Sequence, residues 1–149
     1  MDYGFGGGEG TKVTGKWGTA LGYKNTASGM ASFTAGGNNS AVGYCATALG
    51  EYSQANAYLS AVIGFHAETR SYTKGEEGIQ KGALAIGRYN DYDNESSLFM
   101  VGNGDNTKRH NAFEVLDNNS IKIGDTTFTE DDLKRLLRLL ESIKLDGEA

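Results

Sequence analysis

His66 and His110 are the two histidines of the chain, and Cys45 is its single cysteine. A histidine beside a positioned carboxylate can do general acid–base work, and a thiolate can act as a nucleophile or metal ligand. Neither setting is visible. His66 falls in a turn of an internal repeat, and His110 ends the basic run Lys108-Arg109-His110. Ser, His and Asp occur without a catalytic spacing, so the sequence reads as non-enzymatic, with no catalytic residue and no cofactor expected. Asp91, Asp93, Asn94 and Glu95 offer oxygen ligands, as do Asn103, Asp105 and Asn106. Both groups lack the full calcium-loop spacing with its Gly and terminal bidentate Glu; solvated turns are expected, not a metal site. Gly4 to Gly8 follows no predicted strand and opens no helix, which argues against a phosphate cradle.

The remaining chemical pattern is aromatic. Tyr23, Tyr44, Tyr58, Phe65 and Tyr72 each follow a small residue, and Tyr44, Tyr58 and Tyr72 recur at fourteen-residue intervals. Such a ladder either packs ring against ring and shields turns, which is the favoured reading, or offers a receptor-contact surface for a glycan or another macromolecule. Cys45, next to Tyr44, reads most simply as a small repeat residue.

The elements that position these residues come from a repeat. Glycines stand at 15, 22, 29, 36, 43, 50, 64 and 78, with Ala57 and Ser71 at the two skipped positions. Two residues before each site lies a small or β-branched residue, among them Ala20, Ala27, Ala41, Ala48 and Ala55. A coiled coil would need large apolar residues at two heptad positions and helix formers between them. Here Gly, Ala, Ser and Thr dominate, so each seven residues read as one short strand and one turn, with Gly serving the turn through its tolerance of positive φ. Beneath the seven lies fourteen. Leu21, Ala35, Leu49 and Ile63 precede alternate glycines, whereas Ser28, Val42, Asn56 and Arg70 precede the others. Two strands therefore make one coil, and coils stack in parallel. Ala suits a very thin interior. Leu21, Leu49 and Ile63 alternate to the opposite face of their strands, where they form an apolar stripe of the kind that marks an interface. A closed symmetric oligomer buries it most simply.

Composition agrees. There are 22 Gly, no Pro and a net charge of −5. The glycines exclude long helices from the repeat, the charge argues against nucleic acid, and no apolar run is long enough to span a membrane.

The segments Thr19-Ala-Leu-Gly-Tyr-Lys-Asn-Thr-Ala-Ser-Gly29 and Ser60-Ala-Val-Ile-Gly-Phe-His-Ala67 resemble the head repeat of trimeric autotransporter adhesins of the YadA type. The resemblance covers about residues 13 to 87 and implies a left-handed parallel β-roll with three chains around one axis. The same repeats occur in phage tail and neck fibres. The stretch from Ala85 through Val115, with its Val-Gly-Asn-Gly turn and Ala112-Phe-Glu-Val strand, resembles a module that follows such repeats in phage and prophage fibre proteins.

Residues 1–12 read as a flexible Gly-rich lead-in and 13–90 as the roll, with a loop inserted over 71–82. Residues 91–128 read as a small β-cap, with strands at 97–104, 112–116 and 120–124 and a hairpin turn at Asp117-Asn118-Asn119. Residues 129–149 read as a helix and tail. Thr129 can cap that helix, with Asp132 three residues on. Leu133, Leu136, Leu140 and Ile143 fit a and d positions, flanked by Leu137 and Leu139. A helix of this length is marginal alone; it either joins a three-chain bundle or packs on its own cap.

The resulting expectation is an all-β chain assembled as a homotrimer, with Leu21, Leu49, Ile63, Leu84, Ile86, Leu133, Leu136, Leu140 and Ile143 toward the axis. Its implied role is structure and attachment in a phage or prophage tail fibre that meets a host cell-surface glycan or protein. The alternatives are the head of a bacterial surface adhesin and an enzyme-associated fibre cap.

Overall fold

The computed structural model describes residues 3–70, 82–93 and 96–146, with side chains described to residue 143. Six long strands, β1 (Phe5–Gly7), β3 (Thr19–Tyr23), β5 (Phe33–Gly37), β7 (Thr47–Glu51), β9 (Ala61–Phe65) and β11 (Leu84–Arg88), pair in parallel in one sheet. Five two-residue strands, β2 (Lys12–Val13), β4 (Thr26–Ala27), β6 (Ser40–Ala41), β8 (Gln54–Ala55) and β10 (Glu68–Thr69), form the opposite sheet. Each coil supplies one strand to each sheet, and from β3 to β9 equivalent residues pair at intervals of fourteen. The chain is thus a β-solenoid.

The interior is as thin as the Ala column requires. Ala20, Ala48, Val62 and Ala85 from the long sheet meet Ala27, Ala41 and Ala55 from the short one, and all are fully buried. Met100 closes this core at the cap end.

The roll begins at Phe5, not at Val13. β1 lies within the segment expected to be a flexible lead-in, and it pairs in register with Thr19 to Leu21. The loop expected over 71–82, with Tyr72, lies outside the described residues apart from Gly82. On its far side β11 resumes the ladder, so that Leu84 pairs with Ala61 and Ile86 with Ile63.

The long-strand glycines Gly22, Gly36, Gly50 and Gly87 keep the turn role their spacing suggests, at φ between 97° and 111°. Residues two places after the repeat sites are left-handed as well. Trp17, Ala31, Cys45 and Leu59 lie on one edge of the roll, and Lys24, Asn38, Tyr52, His66 and Tyr89 on the other, all at φ between 44° and 58°. Stacking requires the glycines too, and at Gly15, Gly29 and Gly43 it is the close approach alone that does so. A Cβ at Gly43 would stand 1.9 Å from the carbonyl oxygen of Ala57 in the next coil. Gly50 combines a φ of 111° with a similar approach to Gly64.

Buried Asn25, Asn39 and Asn90 hold the second edge together. The amide nitrogen of Asn39 donates to the carbonyls of Ala35 (2.9 Å) and Gly50 (2.7 Å), and its oxygen accepts the N–H of Ser53 at 2.9 Å. Carbonyls and amides turned inward at a corner have no strand partner, and this column satisfies them.

The cap continues the ladder before reversing it. β12 (Ser97–Asn103) pairs in parallel with β11, and β13 (Asn111–Leu116), β14 (Ile121–Ile123) and β15 (Thr126–Phe128) follow as an antiparallel meander. Helix α1 (Glu130–Asp146) touches the remaining elements through β15. Its cap is reciprocal: Asp132 N–H donates to Thr129 Oγ1 at 3.2 Å, and Thr129 N–H donates to Asp132 Oδ2 at 3.1 Å. Glu130, Asp131 and Asp132 occupy its first turn, where the helix dipole favours negative charge.

Candidate functional site: the outward face of the long sheet

Residues of the long strands alternate between the thin interior and the opposite face. Leu21, Ala35, Leu49, Ile63, Ile86 and Val101 occupy successive register positions on that face. Beside them runs a second column, Thr19, Phe33, Thr47, Ala61, Leu84 and Phe99. Both columns are only partly covered, and Ile63 is 48% exposed. Phe113 and Val115 of β13 pair with Val101 and Phe99, and Ile123 and Ile121 pair with them in turn. The rings of Phe99 and Phe113 meet at 6.3 Å. One apolar strip therefore runs from the first coils through the cap. The short sheet is different. Its outward column is Lys12, Thr26, Ser40, Gln54 and Glu68, polar at every level.

The leucine seam of α1 is bare. Leu133, Leu136, Leu137, Leu139, Leu140 and Ile143 are all exposed, Leu136 at 52% and Leu139 at 60%. The helix is not packed on its own cap in the way a self-contained chain would require. A groove of about 800 Å³ runs between it and β15, lined by Phe128, Leu133, Leu136 and Leu139. Neither histidine lines it.

The aromatic residues divide between two edges. Tyr44 and Tyr58 contact each other on the first edge at 6.2 Å, with planes tilted by 48°. Tyr23 and Phe65 lie on the second edge, where a ladder unforeseen from the tyrosine spacing appears. The ring of His66 is stacked between Tyr52 (4.8 Å, 7°) and Tyr89 (4.7 Å, 10°), and Phe65 meets His66 edge-on at 4.6 Å. Both faces of the imidazole are thus occupied by rings. The signal in the sequence was the position two residues after the long-strand glycine, not the one directly after it.

Of the remaining candidate groups, Asn94 and Glu95 lie outside the described residues, and Asp91, Asp105 and His110 are engaged locally. Asp105 Oδ1 accepts hydrogen bonds from Thr107 and Lys108, which hold its carboxyl below the usual range. Asp91 Oδ1 accepts the N–H of Asp93 at 3.1 Å. His110 Nδ1 lies 2.5 Å from Asn103 Oδ1, and its Nε2 lies 3.8 Å from the well-exposed carboxylate of Asp125. Arg109 ties the cap to the last coils. Its Nη1 donates to the carbonyls of His66 (3.1 Å) and Asn90 (3.0 Å), and its Nη2 to Glu68 at 3.3 Å. Burial nonetheless raises the Glu68 carboxyl above its usual range, against the lowering effect of Arg109. In the cap, buried Glu114 accepts from Ser97 Oγ (2.6 Å) and Lys122 Nζ (3.1 Å).

No protein-family model matches the chain, and no curated protein matches it.

Proposed function

We propose that the chain is a structural and attachment module of a homotrimeric fibre, a segment of a phage or prophage tail appendage that presents a host-contact surface. The observation that carries this reading is the continuous apolar strip on the long sheet, extended by the cap and followed by a bare leucine seam. A strip of this length in water is a liability unless partner chains cover it.

Strand length bears on how many copies close around it. A five-residue strand spans about 17 Å. Three such sheets facing inward as a triangular prism leave about 5 Å from each sheet to the axis, roughly the reach of a Leu or Ile side chain. Four sheets would leave a wider channel that these residues could not fill. In this arrangement Leu21, Leu49, Ile63, Leu84 and Ile86 lie toward the axis with Phe99, Val101 and Phe113. Leu133, Leu136, Leu140 and Ile143 form the seam of a terminal three-helix bundle.

A left-handed roll, the virion location and a host glycan or protein as partner follow from the resemblance of the repeat and of residues 85–115 to fibre modules. The coils alone would serve a bacterial adhesin head equally well; the meander and helix after them favour the fibre. Attachment would arise from three identical surfaces acting together, so avidity takes the place of tight single-site binding.

The functional test is binding of the fluorescently labelled chain to a panel of bacterial strains. Saturable binding to at least one strain, weakened 100-fold or more when assembly is broken by Ile63→Asp, is expected. Absence of binding to any strain would count against attachment and leave a purely structural segment.

A further inference from the structure

The two edges of the roll carry a consequence of threefold closure. We infer that the first edge of one copy packs against the second edge of the next, so that both aromatic ladders are protomer seams and the short sheet alone faces the host. The inference rests on the fibre reading and specifies its interfaces.

The argument begins with geometry. When three inward-facing sheets close a prism, each corner brings the first edge of one roll to the second edge of its neighbour. This is a heterologous contact that three copies close on themselves. Two copies stacked face to face would leave both edges in water.

The side chains distinguish these cases. The first edge presents Trp17, Met30, Tyr44, Tyr58 and Leu59, all exposed in a single chain, with Trp17 at 52%. The second presents Tyr23, Tyr52 and Phe65, also exposed, beside His66 and Tyr89. Both edges carry large rings at the spacing of the coils, whereas the short sheet carries none. Aromatic enrichment marks an interface, and a polar surface marks what remains outside it. Two of the edge charges are themselves held over rings, Lys16 over Trp17 at 4.6 Å and Lys24 over Tyr23 at 4.8 Å.

The stack geometry points the same way. A sugar binds on an open ring face, and both faces of His66 are covered by Tyr52 and Tyr89. What the stack offers outward is a ridge of ring edges, suited to pack against another ridge. Tyr44 and Tyr58 thereby become seam residues, not a receptor contact.

The chain holds one reporter of each kind on the first edge, its single Trp17 and its single Cys45. Within one copy the edges are separated by the length of a long strand, about 17 Å, far beyond disulfide reach. A disulfide from Cys45 to the second edge can therefore form only between copies. Lys24→Cys, Asn38→Cys and Tyr52→Cys, each with native Cys45, sample the stagger of the seam.

Covalently closed trimers after mild oxidation are expected from at least one of the three, and none when Cys45→Ala is added. In the unmodified assembly, acrylamide should quench Trp17 several-fold more slowly than in urea. A trimer that yields only free chains after oxidation of all three variants, and whose Trp17 is quenched as fast as in urea, would overturn the seams and leave the fibre standing. A chain that is single in solution would overturn both.

Discussion

Asn25 Oδ1 accepts the backbone N–H of Asn39 at 2.8 Å, one full coil away. Asn39 passes the same bond to Ser53. The fold is propagated by this relay as much as by its strands, because short two-residue strands cannot fix a corner alone.

Asn39→Ala removes both amide donors and the acceptor of a buried corner. Each polar group left unpaired in the interior costs about 1–3 kcal/mol, so a loss of at least about 3 kcal/mol is expected. Urea denaturation followed by circular dichroism would measure it. Asn38→Ala, on the half-buried neighbour, should cost about 1 kcal/mol, the difference between a residue that tolerates the left-handed region and one that does not.

The glycines separate close approach from conformation. Gly43→Ala would bring a methyl group against the Ala57 carbonyl, with the Ala46 methyl 3.2 Å away and nothing able to yield. It should prevent the roll from folding, seen as loss of soluble β-structured protein. Gly124 sits at φ 57° with open space around it. Gly124→Ala should cost only about 1–2 kcal/mol, measurable as a small drop in thermal midpoint.

The repeat was legible in the sequence because every coil repeats the same stacking constraint, and small residues at positions such as Ala20 and Ala48 record it directly. The outward turn of Leu21, Leu49 and Ile63 was equally readable from strand alternation. Asn25 and Asn39 were not, since an isolated Asn near a turn looks like surface until its corner is known to be closed. Phe33 and Phe99 were missed because they lie two residues before the column that the glycines make conspicuous. β1 escaped because Gly6 and Gly7 give a strand with almost no side-chain signal. The first-edge and second-edge aromatics look alike in sequence, and only the coil geometry separates Tyr58 from Phe65.

Two carboxylates give stability opposite dependences on pH. Burial of Glu114 would raise its pKa, but hydrogen bonds from Ser97, Asn111 and Lys122 outweigh it and hold the carboxyl below its usual value near 4.5. A group lowered on folding stabilises above its unfolded value and loses that contribution as pH falls through the folded one. Glu68 is raised by burial. Its contribution is present below the unfolded value and is lost as pH rises through the folded one. Between about pH 5 and 3, Glu114→Gln should flatten the loss of stability on acidification. It should also cost about 2 kcal/mol at neutral pH through weakened charged hydrogen bonds. Glu68→Gln should act above that range, removing the gain in stability that acidification from neutral pH down to about 4.5 otherwise brings. Denaturation midpoints collected from neutral pH down to about 3 would test both signs.

Ile63→Asp places a carboxylate in the middle of the apolar strip, on a side chain that is half exposed in one chain. The roll itself should survive, with its β-type circular dichroism retained, because the substituted side chain points away from the Ala core. Assembly should fail at micromolar concentration, since three like charges would meet without water. Leu136→Asp should release the helix and lower helicity, since a helix of seventeen residues holds poorly without a partner.

The central claim is that three copies cover the long sheet. The most direct measurement is the mass of the purified chain in solution by light scattering after size exclusion. The expected result is three times the chain's 15.9 kDa, unchanged on dilution to low micromolar concentration. A mass of one chain, or of two, would contradict it.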